Sequence, residues 1–313
     1  MRIATSSWYR HQTETMLDKQ AKIAGLQEQI ATGRRFTSAS ADPAAAQRAD
    51  TIKRAISDND QALRNSASVT ERLQASGLAL EGMSDIMQRM NELAISASSD
   101  TLSGDDRRTI AVEIDQLKAQ FLQLSNARSA DGTYVFSGGA SGTPAFAAQP
   151  DGSVRYEGSG KAIRVPVGAG NLVAAGDAAD SFLVRPDGEG GDTSVFDLFD
   201  QFSGLMRAGD PDGETPEQRA ARHAGMEDML VQLKSSTDGI FDVQAAQGSR
   251  LSVLESEERR LEDMSVDLEA TRSTLEDTDV TAAIVDLERY ATILKAIQAS
   301  FGKVASLSLF DRL

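Results

Sequence analysis

Hydrophobic positions follow two rhythms along this chain of 313 residues. Both ends and both long flanks step by three and four, whereas the stretch from Asp131 to Asp200 holds only short runs between glycines. Near the N-terminus Tyr9, Met16, Ile23 and Ile30 recur at every seventh residue, with Leu26 between the last two. Near the C-terminus Leu287, Tyr290, Leu294, Ile297, Phe301 and Val304 alternate steps of three and four. A stripe this narrow is the edge of a helix that needs a partner helix. The pattern predicts a first helix over 3–32 ended by Gly33 and a last one over 281–305.

The flanks carry longer helices. Asp42-Pro43 supplies an N-cap and a first-turn proline, and the helix it opens buries Val69, Leu73, Leu80, Met83, Met87 and Met90, continued by Ala94 and Ala97. A Ser/Asp/Gly cluster over Ser98–Asp105 breaks it. Ile110, Ile114, Leu117, Phe121 and Leu124 mark a third helix, and Val195, Phe199, Phe202 and Met206 a fourth. Thr215-Pro216-Glu217-Gln218 has the form of a capping box, opening a very long helix that runs to about Leu275. In it Leu254, Leu261, Leu268 and Leu275 stand at seven-residue intervals, supported by Leu251. Asp277 and Asp279 mark a short break before the last helix.

Residues 131–200 hold thirteen of the 25 glycines and four of the seven prolines. Val154-Arg155-Tyr156 and Ile163-Arg164-Val165-Pro166-Val167, either side of Gly158-Ser159-Gly160, read as a β-hairpin. The fold class is mainly α: long antiparallel helical rods or coiled coil from the N- and C-terminal halves, with a small β-rich inserted domain. Three domains are expected. Residues 1–42 with 276–313 form a terminal coiled-coil assembly domain, 43–130 with 195–275 a helical rod domain, and 131–194 an outer β-rich domain.

Composition changes this picture in few places. Aromatics are 5% of the chain, so the core is expected to rest on Leu, Ile, Val, Met and Ala. The net charge of −15 argues against a nucleic-acid binder, which needs clustered Lys and Arg. Charge is split: six bases against three acids over residues 1–40, ten acids against three bases over 251–280. A basic arm and an acidic body can attract one another between copies, or simply be solvated helix faces. The absence of cysteine excludes disulfides and thiolate chemistry. No apolar run reaches the roughly 20 residues of a bilayer span, so no membrane insertion is expected. The opening Met1-Arg2-Ile3-Ala4-Thr5 leads into polar residues and not an apolar signal core. By ordinary rules that means a cytoplasmic protein, or one exported by a route that uses no cleaved signal.

Catalysis finds little footing. His11 and His223 are the two histidines, with no metal-ligand spacing, and read as surface residues. Gly188-Glu189-Gly190-Gly191 lacks the strand-before, helix-after context of a phosphate loop, and Asp210-Pro211-Asp212-Gly213 reads as a turn because its later acids are out of calcium-loop register. Glu257-Glu258 and Glu262-Asp263 read as exposed helix charges. The leucine heptad is not a DNA-binding zipper, since Gly239–Ser249 holds no Lys or Arg where a basic region belongs. No enzyme, cofactor or metal is indicated, and an assembly interface made of the two seams takes the place of an active site. A lone helix pair is marginal, so the arms are expected to be loose in the monomer and to order on assembly. A cytoplasmic coiled-coil scaffold is the competing reading of the same pattern.

These residues resemble the flagellin family. Leu275-Glu276-Asp277-Thr278-Asp279, followed by Leu287, Leu294 and Phe301, looks like its C-terminal signature. Ile30-Ala31-Thr32-Gly33-Arg34-Arg35 with Asp42-Pro43-Ala44 looks like the N-terminal one, departing at Thr32 and Ala41. Tyr134-Val135-Phe136-Ser137-Gly138-Gly139 and the ending Ser308-Leu309-Phe310-Asp311-Arg312-Leu313 favour the hook-associated junction branch over a small filament flagellin. The resemblance implies a structural protein of the extracellular bacterial flagellum, exported through the flagellar type III apparatus. Its terminal coiled coils would line a tube. Implied partners are its own copies, hook-associated protein 1, flagellin and a flagellar export chaperone.

Overall fold

The computed structural model describes residues 2–99, 102–186, 192–208 and 215–310, without the side chains of 2–6, 186, 192 and 304–310. Among the described residues seven helices and six short strands follow in order: α1 (Arg2–Thr32), α2 (Pro43–Ala97), α3 (Gly104–Ser125), β1 (Phe146–Ala148), β2 (Val154–Tyr156), β3 (Arg164–Pro166), β4 (Leu172–Ala174), α4 (Asp180–Leu183), β5 (Val184–Pro186), β6 (Asp192–Ser194), α5 (Val195–Arg207), α6 (Pro216–Glu276) and α7 (Val280–Phe310). The architecture is mainly α with a small β region. Two compact units divide it: residues 1–60 with 263–313, and residues 61–262. None of the described helices is long and apolar enough to cross a membrane.

Local chemistry sets the helix starts. The Asp42 carboxylate accepts the Ala45 N–H at 3.0 Å. Ser103 and Asp106 exchange the two bonds of a capping box at α3, as do Ser194 and Asp197 at α5. At α6 the Thr215 hydroxyl accepts the Gln218 N–H (3.2 Å) and the Gln218 amide oxygen accepts the Thr215 N–H (2.9 Å). Asp279 caps α7 by accepting the Ala282 N–H at 3.0 Å. Each bond satisfies one of the donors a helix start leaves orphaned.

In the unit spanning 61–262, the predicted α2 stripe is buried from Val69 through Ala97, and from Leu80 onward it packs with α3, α5 and α6 around one core. The expectation of an aliphatic and methionine core needs correction. Phe121, Phe136, Phe146, Phe196, Phe199 and Phe202 are all fully buried; aromatics are few but concentrated here. Phe121 lies edge-on to Phe196 at 5.6 Å, and Phe146 lies 4.9 Å from Phe196, distances at which ring quadrupoles add to area burial. Val135, Phe136, Phe146 and Val154 from the strand region share this core with the helices.

The predicted hairpin is also corrected. Val154–Tyr156 pairs with Phe146–Ala148, and Arg164–Pro166 pairs with Leu172–Ala174. The turns fall at Gly152 and Gly170, both with φ +86°, a conformation L side chains disfavour. The Asp151 carboxylate fastens the first turn by accepting the Ser153 N–H at 2.9 Å. The Gly158–Gly160 segment instead docks on the Tyr134–Gly139 run, where Ser159 bridges Gly138. Gly138 has φ +58°, and a Cβ there would lie 1.9 Å from the Ser159 carbonyl oxygen. Only glycine fits.

Glu257 is a third correction. It is 6% exposed, because the β3–β4 hairpin packs on α6 at this point. Asn171 donates to it at 3.3 Å and the Arg260 guanidinium at 3.0 and 2.5 Å. These donors, Arg260 foremost, hold its carboxyl below the usual range. The same hairpin, with Val69, Leu73 and Leu254, forms a second small core. The turns at Gly188–Gly191 and Asp210–Gly213 lie outside the described residues.

Candidate assembly surface

The two seams face one another within the unit made of 1–60 and 263–313. α1 and α7 are 31 residues each, roughly 46 Å at 1.5 Å per residue. They run antiparallel: Trp8 and Tyr9 meet Phe301 at one end, Lys19 and Lys22 meet Tyr290 along the way, and Gly33 meets Thr278 at the other end. The heptad pattern dictates this pairing, since each apolar edge is too narrow to be covered by anything wider than one helix.

Tyr9, Met16, Ile23, Leu26 and Ile30 on α1 are all half-buried, and so are Leu287, Tyr290, Leu294, Ile297 and Phe301 on α7. None is fully covered. The Val304 side chain lies outside the described residues. Leu17 on α1 and Val280, Ile284 and Val285 on α7 stay exposed, at 60%, 42%, 43% and 61%. The pair covers one side of each helix and leaves apolar surface on others.

Sequence reasoning missed several participants. Trp8 stacks on Phe301 with ring centroids 6.2 Å apart and planes within 6°, while Tyr9 meets the same ring edge-on at 5.3 Å. The ammonium groups of Lys19 and Lys22 lie 5.5 and 5.7 Å from the Tyr290 centroid, a cation–π arrangement. Both also pair with Asp18, at 3.0 and 3.4 Å, and the bond from Lys19 holds the Asp18 carboxyl below its usual range. A signal existed for Trp8, the single tryptophan, adjacent to a seam tyrosine. Seven-residue counting passed over it.

The helix breaks are joined too. The Arg35 N–H donates to the Glu276 carbonyl at 2.7 Å and the Thr278 N–H to the Gly33 carbonyl at 2.9 Å, with Arg34 bridging Asp277. Around this corner Arg35 pairs with Asp42 at 3.3 Å, and Lys53 pairs with Glu276 at 2.6 Å. Glu276 is buried and its pairing with Lys53 offsets the cost of desolvating the charge. The chemistry offered is adhesive: aromatic faces, aliphatic ridges and paired charges. Among the described residues no three metal-ligating side chains cluster. His11 is exposed and His223 half-buried.

Residues 3–141 match the bacterial flagellin N-terminal helical region. Flagellar hook-associated protein 3 of Escherichia coli strain K12 is 28% identical over 319 aligned residues, 99% of each chain. Its counterpart in Salmonella typhimurium strain LT2 is 24% identical over the same extent. The crystal structure of hook-associated protein 3 from Legionella pneumophila has the same fold, with a TM-score of 0.66. It covers 72% of this chain and 98% of its own at 19% identity.

Proposed function

We infer that this chain, flagellin-like in its N-terminal helical region and similar to hook-associated protein 3 along its whole length, joins hook to filament in the bacterial flagellum. Its role is structural and not catalytic. The observation that carries the reading is the α1–α7 seam, in which ten large side chains at the heptad positions are only half-buried. A helix edge left in that condition gains by meeting further helices, because each such side chain has ~1.5–3 kcal/mol of burial to recover in part.

The interface residues are therefore Tyr9, Met16, Ile23, Leu26, Ile30, Leu287, Tyr290, Leu294, Ile297, Phe301 and Val304. They serve contact with further copies of this chain laterally, with hook-associated protein 1 on the hook side and with flagellin on the filament side. The terminal coiled coil, residues 1–42 with 276–313, is the assembly domain, residues 43–130 with 195–275 are a helical rod domain, and residues 131–194 are a β-rich inserted domain. The arms are loose before export through the flagellar type III apparatus, which suits capture by a flagellar export chaperone.

Deleting the coding sequence tests this. Cells should keep bare hooks and release flagellin into the medium, and antibody against the chain should label isolated wild-type hook–basal bodies. Normal filaments on the deletion strain would overturn the reading. The match to the flagellin N-terminal region also supports a filament subunit, and seeded polymerisation separates the two: a junction protein stops at a short ring, a filament subunit grows long fibres.

A further inference from the structure

A cavity that takes no part in the arm seam lies in the unit spanning 61–262, between the β5–β6 pair, the first turn of α5 and α6. Its volume is about 270 Å³, just below the ~300 Å³ at which pockets begin to hold larger ligands. Leu183, Val195 and Leu198 give it an apolar floor, and all three are buried. Polar groups make the walls. Arg185 and Thr193 stand directly opposite one another on β5 and β6, so their side chains share one face of the pair. Gln232 and Ser236, four apart on α6, share a helix face and complete the lining.

Two of these groups are left wanting. The half-buried Arg185 guanidinium donates to the hydroxyl and to the carbonyl of Ser235. Among the described residues it meets no carboxylate. A guanidinium carries five N–H donors, so three remain. Ser236 is only 3% exposed, yet its hydroxyl makes no hydrogen bond among the described residues. A buried hydroxyl in that condition costs free energy, which a ligand reaching it would recover.

The lining selects the ligand. A cation without a counter-ion calls for an anion, and the fork of N–H groups fits the two oxygens of a carboxylate. A doubly charged phosphate suits it less, since Arg185 is the single cation among the described lining residues and Asp197 already places a negative charge at the start of α5. The leucine and valine floor calls for a hydrocarbon body. We propose that this cavity binds a small monocarboxylic acid, its carboxylate on Arg185 and Ser236 and its aliphatic or aromatic body on Leu183, Val195 and Leu198. The space is too small for a length of peptide, so the ligand is a free acid. The site goes beyond the junction role and does not depend on it.

The probe is 4-fluorobenzoate, added to purified full-length chain and followed by fluorine NMR. Saturable broadening of its line is expected. Unlabelled benzoate should displace it, and benzamide, the neutral isostere, should be about tenfold or more less effective, the worth of one hydrogen bond to a charged group. Ser236→Leu fills the cavity and should abolish the broadening. Arg185→Gln should weaken it by about tenfold or more on the same scale, with the far-UV circular dichroism unchanged. An unsaturable signal, benzamide competing as well as benzoate, or broadening retained in both variants overturns the proposal. Displacement by inorganic phosphate as readily as by benzoate also overturns it, since the site would then read charge alone. The benzamide comparison uses the unaltered chain, so it decides the matter even where a variant fails to fold.

Discussion

Glu257 shows how much a single residue depends on its surroundings. Arg260 and Asn171 hydrogen-bond its carboxylate, so its folded proton affinity lies below the ordinary glutamate value. A depressed value means folding favours the ionised form. The stabilisation is complete above the ordinary value of about 4.3 and is lost as pH falls through the folded value. Urea midpoints followed by far-UV circular dichroism should therefore drop between pH 5 and pH 3, and Glu257→Gln should flatten that drop while lowering the midpoint at neutral pH. An acid slope unchanged in the variant would contradict the assignment. Nothing in the local sequence announces this residue. It stands among Glu255, Glu258 and Glu262 on a charged helix, and the hairpin that buries it is more than 80 positions away in the chain. Residue-scale errors arose where a distant element decides the environment.

Elements were more legible, because a helix writes its period over 20 to 60 residues and its cap into four. The capping box at Thr215 and Gln218 was readable for that reason, and Thr215→Ala should cost about 1 kcal/mol, measured as a lower urea midpoint with an unchanged slope. Strands of three residues carry too little pattern to choose partners, which is why turn glycines and not alternation decided the hairpins. The α1–α7 pair offers its own probe. The only tryptophan, Trp8, stacks on Phe301 and meets Tyr9 edge-on, so its fluorescence reports the packing of this end of the arms. In dilute monomer the fluorescence transition should come at lower urea than the loss of helical signal, which follows the phenylalanine core. Coincident transitions would show the arms to be as firmly held as the rest.

At the scale of the whole molecule, the nesting of helical flanks around a strand region follows from the sequence, and so does the antiparallel meeting of the termini. Separate units should respond separately to substitution. Leu294→Asp places a charge in the seam and should abolish assembly on hooks, yet leave the unfolding of residues 61–262 within about 0.5 kcal/mol of wild type; loss of both would mean that the two units do not fold independently. The breaks after α1 and before α7 are tied by two main-chain bonds, Arg35 to Glu276 and Thr278 to Gly33. Two interruptions joined in this way are one joint. In the junction role proposed above, torque would cross every corner of the subunit. Twist entering through one arm is handed to the other through the backbone, and neither corner can uncoil unless both do.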